Sequence, residues 1–153
     1  MTSPSQVQAQ VFKYDFAIEI AKSAQRVWPL LINDINHWWS ADFRVLGEDS
    51  AVSLDPRPGG MLLEEGANGD FLEWYRVQMA QSGKALYLVG DLAPDWGGPS
   101  TSMLKLALTD SADGCVLTVS EGLSGCVSEA SVQSAEAGWR TLFGECFKQY
   151  AQR

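Results

Sequence analysis

The hydrophobic period changes once along this chain, and that change constrains the fold more than any other feature. From residue 11 to 123 apolar residues recur in short alternating runs; from Val132 to Tyr150 they recur at three- and four-residue steps. Alternation marks half-buried strands, and the longer period marks one face of a helix. In the opening run Phe12, Tyr14, Phe16, Ile18 and Ile20 share one side, with Lys13, Asp15, Ala17 and Glu19 on the other. Further runs are Phe43 to Leu46, Ala51 to Leu54, Met61 to Glu65, Phe71 to about Ala80, Ala85 to Leu92, Thr101 to Thr109 and Cys115 to Leu123. Turn signals separate them, Asp55-Pro-Arg-Pro-Gly-Gly60 and Asp110-Ser-Ala-Asp-Gly114 most plainly. After the first run Ser23 offers an N-cap for a helix through Val27, Trp28, Leu30 and Leu31. Pro29 predicts a kink or break there, with a second turn from Ile35 to Trp39.

This order predicts an α+β fold: a curved antiparallel sheet of six or seven strands gripping a long C-terminal helix, with two short helices after the first strand. One helix covers that many twisted strands only if the sheet curls around it, and the two surfaces can then part at one end to leave a cavity. The terminal stripe reads Val132, Ala135, Trp139, Leu142, Phe143, Cys146 and Tyr150. Gly138 and Gly144 each cost about 1 kcal/mol relative to Ala in a helix, which predicts close backbone approach. At 153 residues the chain reads as one domain, 1–153, large enough to fold without a metal or disulfide.

Eleven basic against nineteen acidic residues, a net charge of −8, argue against nucleic-acid binding, which needs a basic face. No apolar run approaches the roughly 18 residues of a membrane span. The start, Met1-Thr-Ser-Pro-Ser-Gln, lacks a basic and apolar leader, and Cys115, Cys126 and Cys146 show no paired spacing, so reduced thiols in the cytoplasm are expected. With His37 the only imidazole, no metal site is expected. No phosphate-binding glycine loop occurs, so no cofactor is expected. Gly122-Leu-Ser-Gly-Cys126 lacks the second glycine of a nucleophile elbow. His37 reads as an interfacial ring beside two tryptophans, and Arg57, between two prolines, as a turn residue.

With those runs in place, the chain resembles the SRPBCC superfamily, the START-like helix-grip proteins, and within it the bacterial proteins related to the activator of Hsp90 ATPase. The resemblance is carried by the opening strand followed by Ser23-Ala-Gln-Arg-Val-Trp-Pro-Leu-Leu31, by His37-Trp-Trp39, by Asp55-Pro-Arg-Pro-Gly-Gly60, and by Gly138-Trp139, over about residues 12–151. It implies a hydrophobic cavity between sheet and helix. It leaves the chemistry open, since relatives bind lipids, hormones or polyketides, a few catalyse cyclisation and others act as co-chaperones. Read as one domain, the chain departs from the two-domain eukaryotic activator.

Six Trp, six Phe and four Tyr supply the candidate lining. Trp38, Trp39 and Phe43 sit where the short helices meet the sheet; Trp139 and Phe143 share a helix face; Tyr75 and Tyr87 come from neighbouring strands; and Trp96 can close the mouth. Plain core packing suits each of these residues equally well. Cys115, Leu117, Val119, Glu121 and Leu123 share a strand face, and Asp91 follows Tyr87 and Val89 in the same way. On an inner face Glu121 or Asp91 is a candidate acid–base group, its pKa raised by burial; at a strand end either stays in water. Glu73 and Arg76 fall on opposite faces of their strand. The leading expectation is binding of an apolar or aromatic small molecule. The alternatives are a cyclase or hydrolase using Glu121 or Asp91, and an interaction protein with a chaperone-type partner.

Overall fold

Seven of the alternating runs form strands: β1 (Gln10–Ile20), β2 (Ala51–Leu54), β3 (Met61–Glu65), β4 (Phe71–Gln81), β5 (Ala85–Leu92), β6 (Ser100–Ser111) and β7 (Gly114–Gly125). In this computed structural model, which describes residues 3–153, they pair into one antiparallel, curved sheet in the order β1-β7-β6-β5-β4-β3-β2. Met1 and Thr2, at the head of the segment read for a leader, lie outside the described residues. β1 and β2 occupy opposite edges, so the chain between them must cross the sheet, about 29 Å across six flat strand intervals. The short helices α1 (Ala24–Asn33) and α2 (Ile35–Trp38) make that crossing.

Pro29 sits inside α1 without ending it; the break falls at Asp34, whose ψ of 17° leaves the helical range. Ser23 occupies the cap position, yet its hydroxyl caps nothing: the Ala24 N–H donates to the Asp110 carboxylate at 3.0 Å, which ties α1 to the β6–β7 turn. Inside the sheet's curve lies a continuous terminal helix, α3 (Glu129–Thr141), a π-helical segment (Leu142–Phe147) and α4 (Lys148–Ala151). Ser128 and Ser131 close its N-terminus with reciprocal side-chain-to-backbone bonds of 3.1 and 2.9 Å.

The π segment moves the buried stripe. Trp139, Phe143, Phe147 and Ala151 point inward at four-residue steps, with Phe147 and Ala151 taking the places expected of Cys146 and Tyr150. A strict α-helix drifts off a four-residue repeat, and i→i+5 bonding over one turn absorbs the drift. The glycine expectation fails in detail. A Cβ on Gly144 would meet nothing nearer than Ile18 at 3.8 Å, and one on Gly138 only the Phe43 ring at 3.4 Å.

Phe43 to Leu46 is not a strand. Ala41–Phe43 forms a 3-10 turn, and the Val45 and Leu46 N–H groups donate to the Glu64 carboxylate at 3.1 and 2.8 Å instead of to a ladder. Glu64 is fully buried and also accepts from the Ser50 hydroxyl at 2.7 Å and the Trp74 indole at 3.1 Å. Burial alone would raise its pKa, but the bonds from Leu46, Ser50, Val45 and Trp74 outweigh burial and hold it below its ordinary value.

A bulge corrects the Glu73 and Arg76 reading. Leu62 pairs with Tyr75 and Leu63 with Glu73, so Trp74 is an extra residue in β4. Trp74 and Tyr75 therefore both turn inward, and Glu73 and Arg76 both turn outward, 3.7 Å apart.

Candidate functional site

The core between sheet and helix is filled. Trp38 packs on Phe143 and Phe147 and donates its N–H to the Leu30 carbonyl at 3.1 Å. Trp39 lies against Trp74 and Trp139 and donates to the Phe43 carbonyl at 3.3 Å. The void left among Trp38, Trp39, Trp139 and Phe143 measures about 10 Å³, no more than one water needs.

Beyond Trp139, toward the N-terminus of α3, the surfaces part. A cleft of about 490 Å³ opens between the first half of α3 and the ends of β4 to β7. Its walls are Phe43 from the 3-10 turn, Trp74 and Tyr75 from the bulge, Trp139 and Gly138 from the helix, and Trp96 from the β5–β6 loop. Trp96 stands at the rim, 52% exposed. Gly90 gives the Tyr75 ring its place: a Cβ there would come within 2.5 Å of the Trp74 carbonyl oxygen and 3.0 Å of that ring.

One end of the cleft is polar. β7 turns Cys115, Leu117, Val119 and then Glu121 inward by simple alternation, leaving Glu121 4% exposed. Tyr14, directly opposite on β1, donates its hydroxyl to Glu121 Oε1. Ser102 on β6 donates to Oε2, and Tyr75 lies 3.4 Å from the same oxygen. A serine hydroxyl carries one proton, so with that proton on Glu121 the 2.8 Å contact between Tyr75 and Ser102 is a bond donated by Tyr75. Burial, then the bond to Glu121 and its charge, pushes the Tyr14 phenol far above its ordinary value. Burial first, with the charge of Glu121 adding to it, does the same to Tyr75. Both phenols are held as donors.

Solved structures share this architecture. The Mll3558 protein of Rhizobium loti is similar at 23% identity and a TM-score of 0.65, over 91% of this chain and 95% of its own. Ara h 8.0201 is similar at 10% identity and a TM-score of 0.65, over 94% of this chain and 98% of its own. The fold is the helix grip. CalU16 of Micromonospora echinospora is a further helix-grip neighbour, at 16% identity and a TM-score of 0.57, over 94% of this chain and 74% of its own. Such identities speak for the fold alone. No family model and no curated protein matches the sequence, so the narrower likeness to Hsp90-ATPase activators rests on the sequence motifs.

The helix-grip sheet brings together some of the residues singled out from the sequence and separates others. Phe43, Tyr75, Trp96, Trp139 and Glu121 all border the cleft. Trp38, Trp39 and Phe143 are interlocked in the core behind it. Tyr87 points to the opposite, outer face of the sheet, where the Lys105 ammonium lies 5.0 Å from its ring centre. Asp91 touches the cleft rim but is exposed, accepting from Thr101 at 3.0 Å and facing Arg76 at 3.5 Å. His37 is exposed and stacks on Tyr150 rather than on the tryptophans. Arg57 pairs with Asp55 at 2.9 Å inside its own turn.

Sequence reasoning missed Tyr14, Ser102, Trp74 and Glu64 as polar members of this region. Tyr14 and Ser102 follow from register: one is the cross-strand partner of Glu121 and the other pairs with Leu123, two residues on. Glu64 shares the inward face of β3 with Leu62, so an acid on a buried face was the available signal.

Proposed function

We propose that this chain binds an apolar or aromatic small molecule in the cleft between the sheet and the first half of α3. The cleft itself carries the reading: about 490 Å³, walled by Phe43, Trp74, Tyr75, Trp96 and Trp139, within the size range of small-molecule sites. The site is an open-ended cleft rather than the enclosed cavity expected from sequence, because the rings behind it interlock. A two-ring guest burying about 250 Å² of apolar surface gains about 6 kcal/mol, an affinity on the order of tens of micromolar.

Titration with the neutral fluorophore N-phenyl-1-naphthylamine tests this. Saturable enhancement is expected for the native chain, and its loss in Gly138→Leu, whose side chain enters the cleft while the melting transition is retained. Equal enhancement in both proteins, or none in either, refutes the reading. A catalytic variant of it keeps Glu121 alone of the two candidate acids, since Asp91 is solvated and shares Arg76 with Glu73.

A further inference from the structure

The polar end of the cleft has an unusual composition. Glu121 stands in its wall and Glu73 and Asp91, turned outward, reach only its rim, while none of the eleven Lys and Arg side chains lines it. Lys13 and Lys105 extend from the outer face of the sheet, Lys105 over the Tyr87 ring, and three arginines near the cleft are engaged elsewhere. Arg76 lies on the outer face between Glu73 and Asp91. Arg44 donates to Asn36 and to the carbonyls of Trp39 and Ser50. Arg140 pairs with Glu136 at 3.0 Å and covers the Phe16 ring. Glu121 is left as a buried carboxylate with no cationic side chain within salt-bridge distance among the described residues.

Hydrogen-bond polarity points the same way. Tyr14, Ser102 and Tyr75 spend their single protons on Glu121 or on one another, so this end of the cleft presents acceptors: the remaining carboxylate lone pair and the free side of the Tyr75 oxygen. Ser100 and Ser134 on the wall can donate or accept and so discriminate nothing. A carboxylate or phosphate head placed at Glu121 would meet a like charge and hydroxyls whose protons are already spent. A ligand with a donor head is matched, and a positive one is matched best, because a buried charge is stable when paired. The ring faces of Trp74, Trp96, Trp139 and Tyr75 attract cations too, and the net charge of −8 draws them from solution.

We infer that the ligand of this cleft is an apolar or aromatic amine bound as its ammonium, the cationic head at Glu121 and the body among the rings. The inference rests on the cleft being a binding site, as proposed above, and adds the chemical class of what it takes.

Calorimetric titration of the whole chain with three naphthalenes that differ only in their head group tests it: 1-naphthylmethylamine, 1-naphthalenemethanol and 1-naphthoate, at neutral pH. The ammonium is expected to bind at least about tenfold tighter than the alcohol, and the carboxylate at least about tenfold weaker. Glu121→Gln is expected to bring the ammonium within roughly threefold of the alcohol. Should that variant fail to fold, the order of head groups on the native chain still decides, together with selective weakening of ammonium binding in high salt. An ammonium no tighter than the alcohol, or a carboxylate that binds best, overturns the inference and leaves the cleft reading standing. Failure of all three compounds and of N-phenyl-1-naphthylamine overturns both.

Discussion

Replacing Glu64 with Ala deprives four donors of their acceptor at once: the Val45 and Leu46 N–H groups, the Ser50 hydroxyl and the Trp74 indole. The hydroxyl can rotate and the half-buried indole can find water, but the two backbone groups cannot move without undoing the 39–50 segment. At about 1–3 kcal/mol for each stranded donor, Glu64→Ala costs about 2–6 kcal/mol, a fall in Tm on the order of 10 °C. Glu64→Gln is milder by construction. An amide NH₂ in the place of Oε1 would face two N–H donors, whereas in the place of Oε2 it faces only the Leu46 N–H and a serine that can turn to accept. One stranded donor remains, so Gln costs about half as much as Ala. The pH dependence has a definite sign. Because the folded-state pKa of Glu64 is lowered, its stabilisation is fully present above the unfolded value near 4.3 and is lost as pH falls through the folded one. Urea unfolding followed by circular dichroism at neutral and acidic pH should show the gap between native chain and Gln variant narrowing on acidification. A gap that stays constant down to acid pH, or an Ala variant within about 0.5 kcal/mol of the native chain, refutes this account of the segment.

Gly138→Ala should separate stability from binding: removing the helix penalty adds up to about 1 kcal/mol, while the methyl narrows the cleft beside Phe43 and weakens fluorophore binding several-fold, both read on one sample. Trp96→Ala should cost roughly five- to tenfold in fluorophore affinity, because a wall is lost, and barely move the melting temperature, because the ring is already half in water. The Tyr14 and Tyr75 phenols have raised pKa values, so their contribution is fully present below the unfolded value near 10 and is lost as pH rises through the folded ones. Ultraviolet tyrosinate absorbance should rise for these two only together with alkaline unfolding, and Tyr14→Phe or Tyr75→Phe should each remove part of that late step.

How much was legible depended on whether a run had one apolar side or two. In β7 the alternation groups Glu121 with Cys115, Leu117 and Val119 but leaves open whether so late a position stays in water; the structure turns that face inward and buries it. In β5 both sides are apolar: Leu86 and Leu88 on one, Tyr87 and Val89 on the other. Parity there is settled by partners, since Tyr87 pairs with Lys105, a residue that belongs outside. The 43–46 run looked like a strand because strand propensity is local, whereas the acceptor that diverts its N–H groups lies 18 positions on, at Glu64. Neither the bulge at Trp74 nor the π segment leaves a mark in its own residues; both answer to the spacing of what they pack against. Trp38, Trp39 and Phe143 show the same limit for aromatic rings, which look alike in a sequence whether they fill space or border it.

The bulge in β4 has a consequence for how such a pocket is gained and lost. Deleting one residue there would restore alternation across Glu73 to Tyr75 and swing one of the two adjacent rings out to solvent, stripping a wall while the sequences of the other six strands stay as they are. Guest selection and scaffold integrity are therefore separable: a single-codon length change in one strand could retune the chamber while the framework that carries it persists.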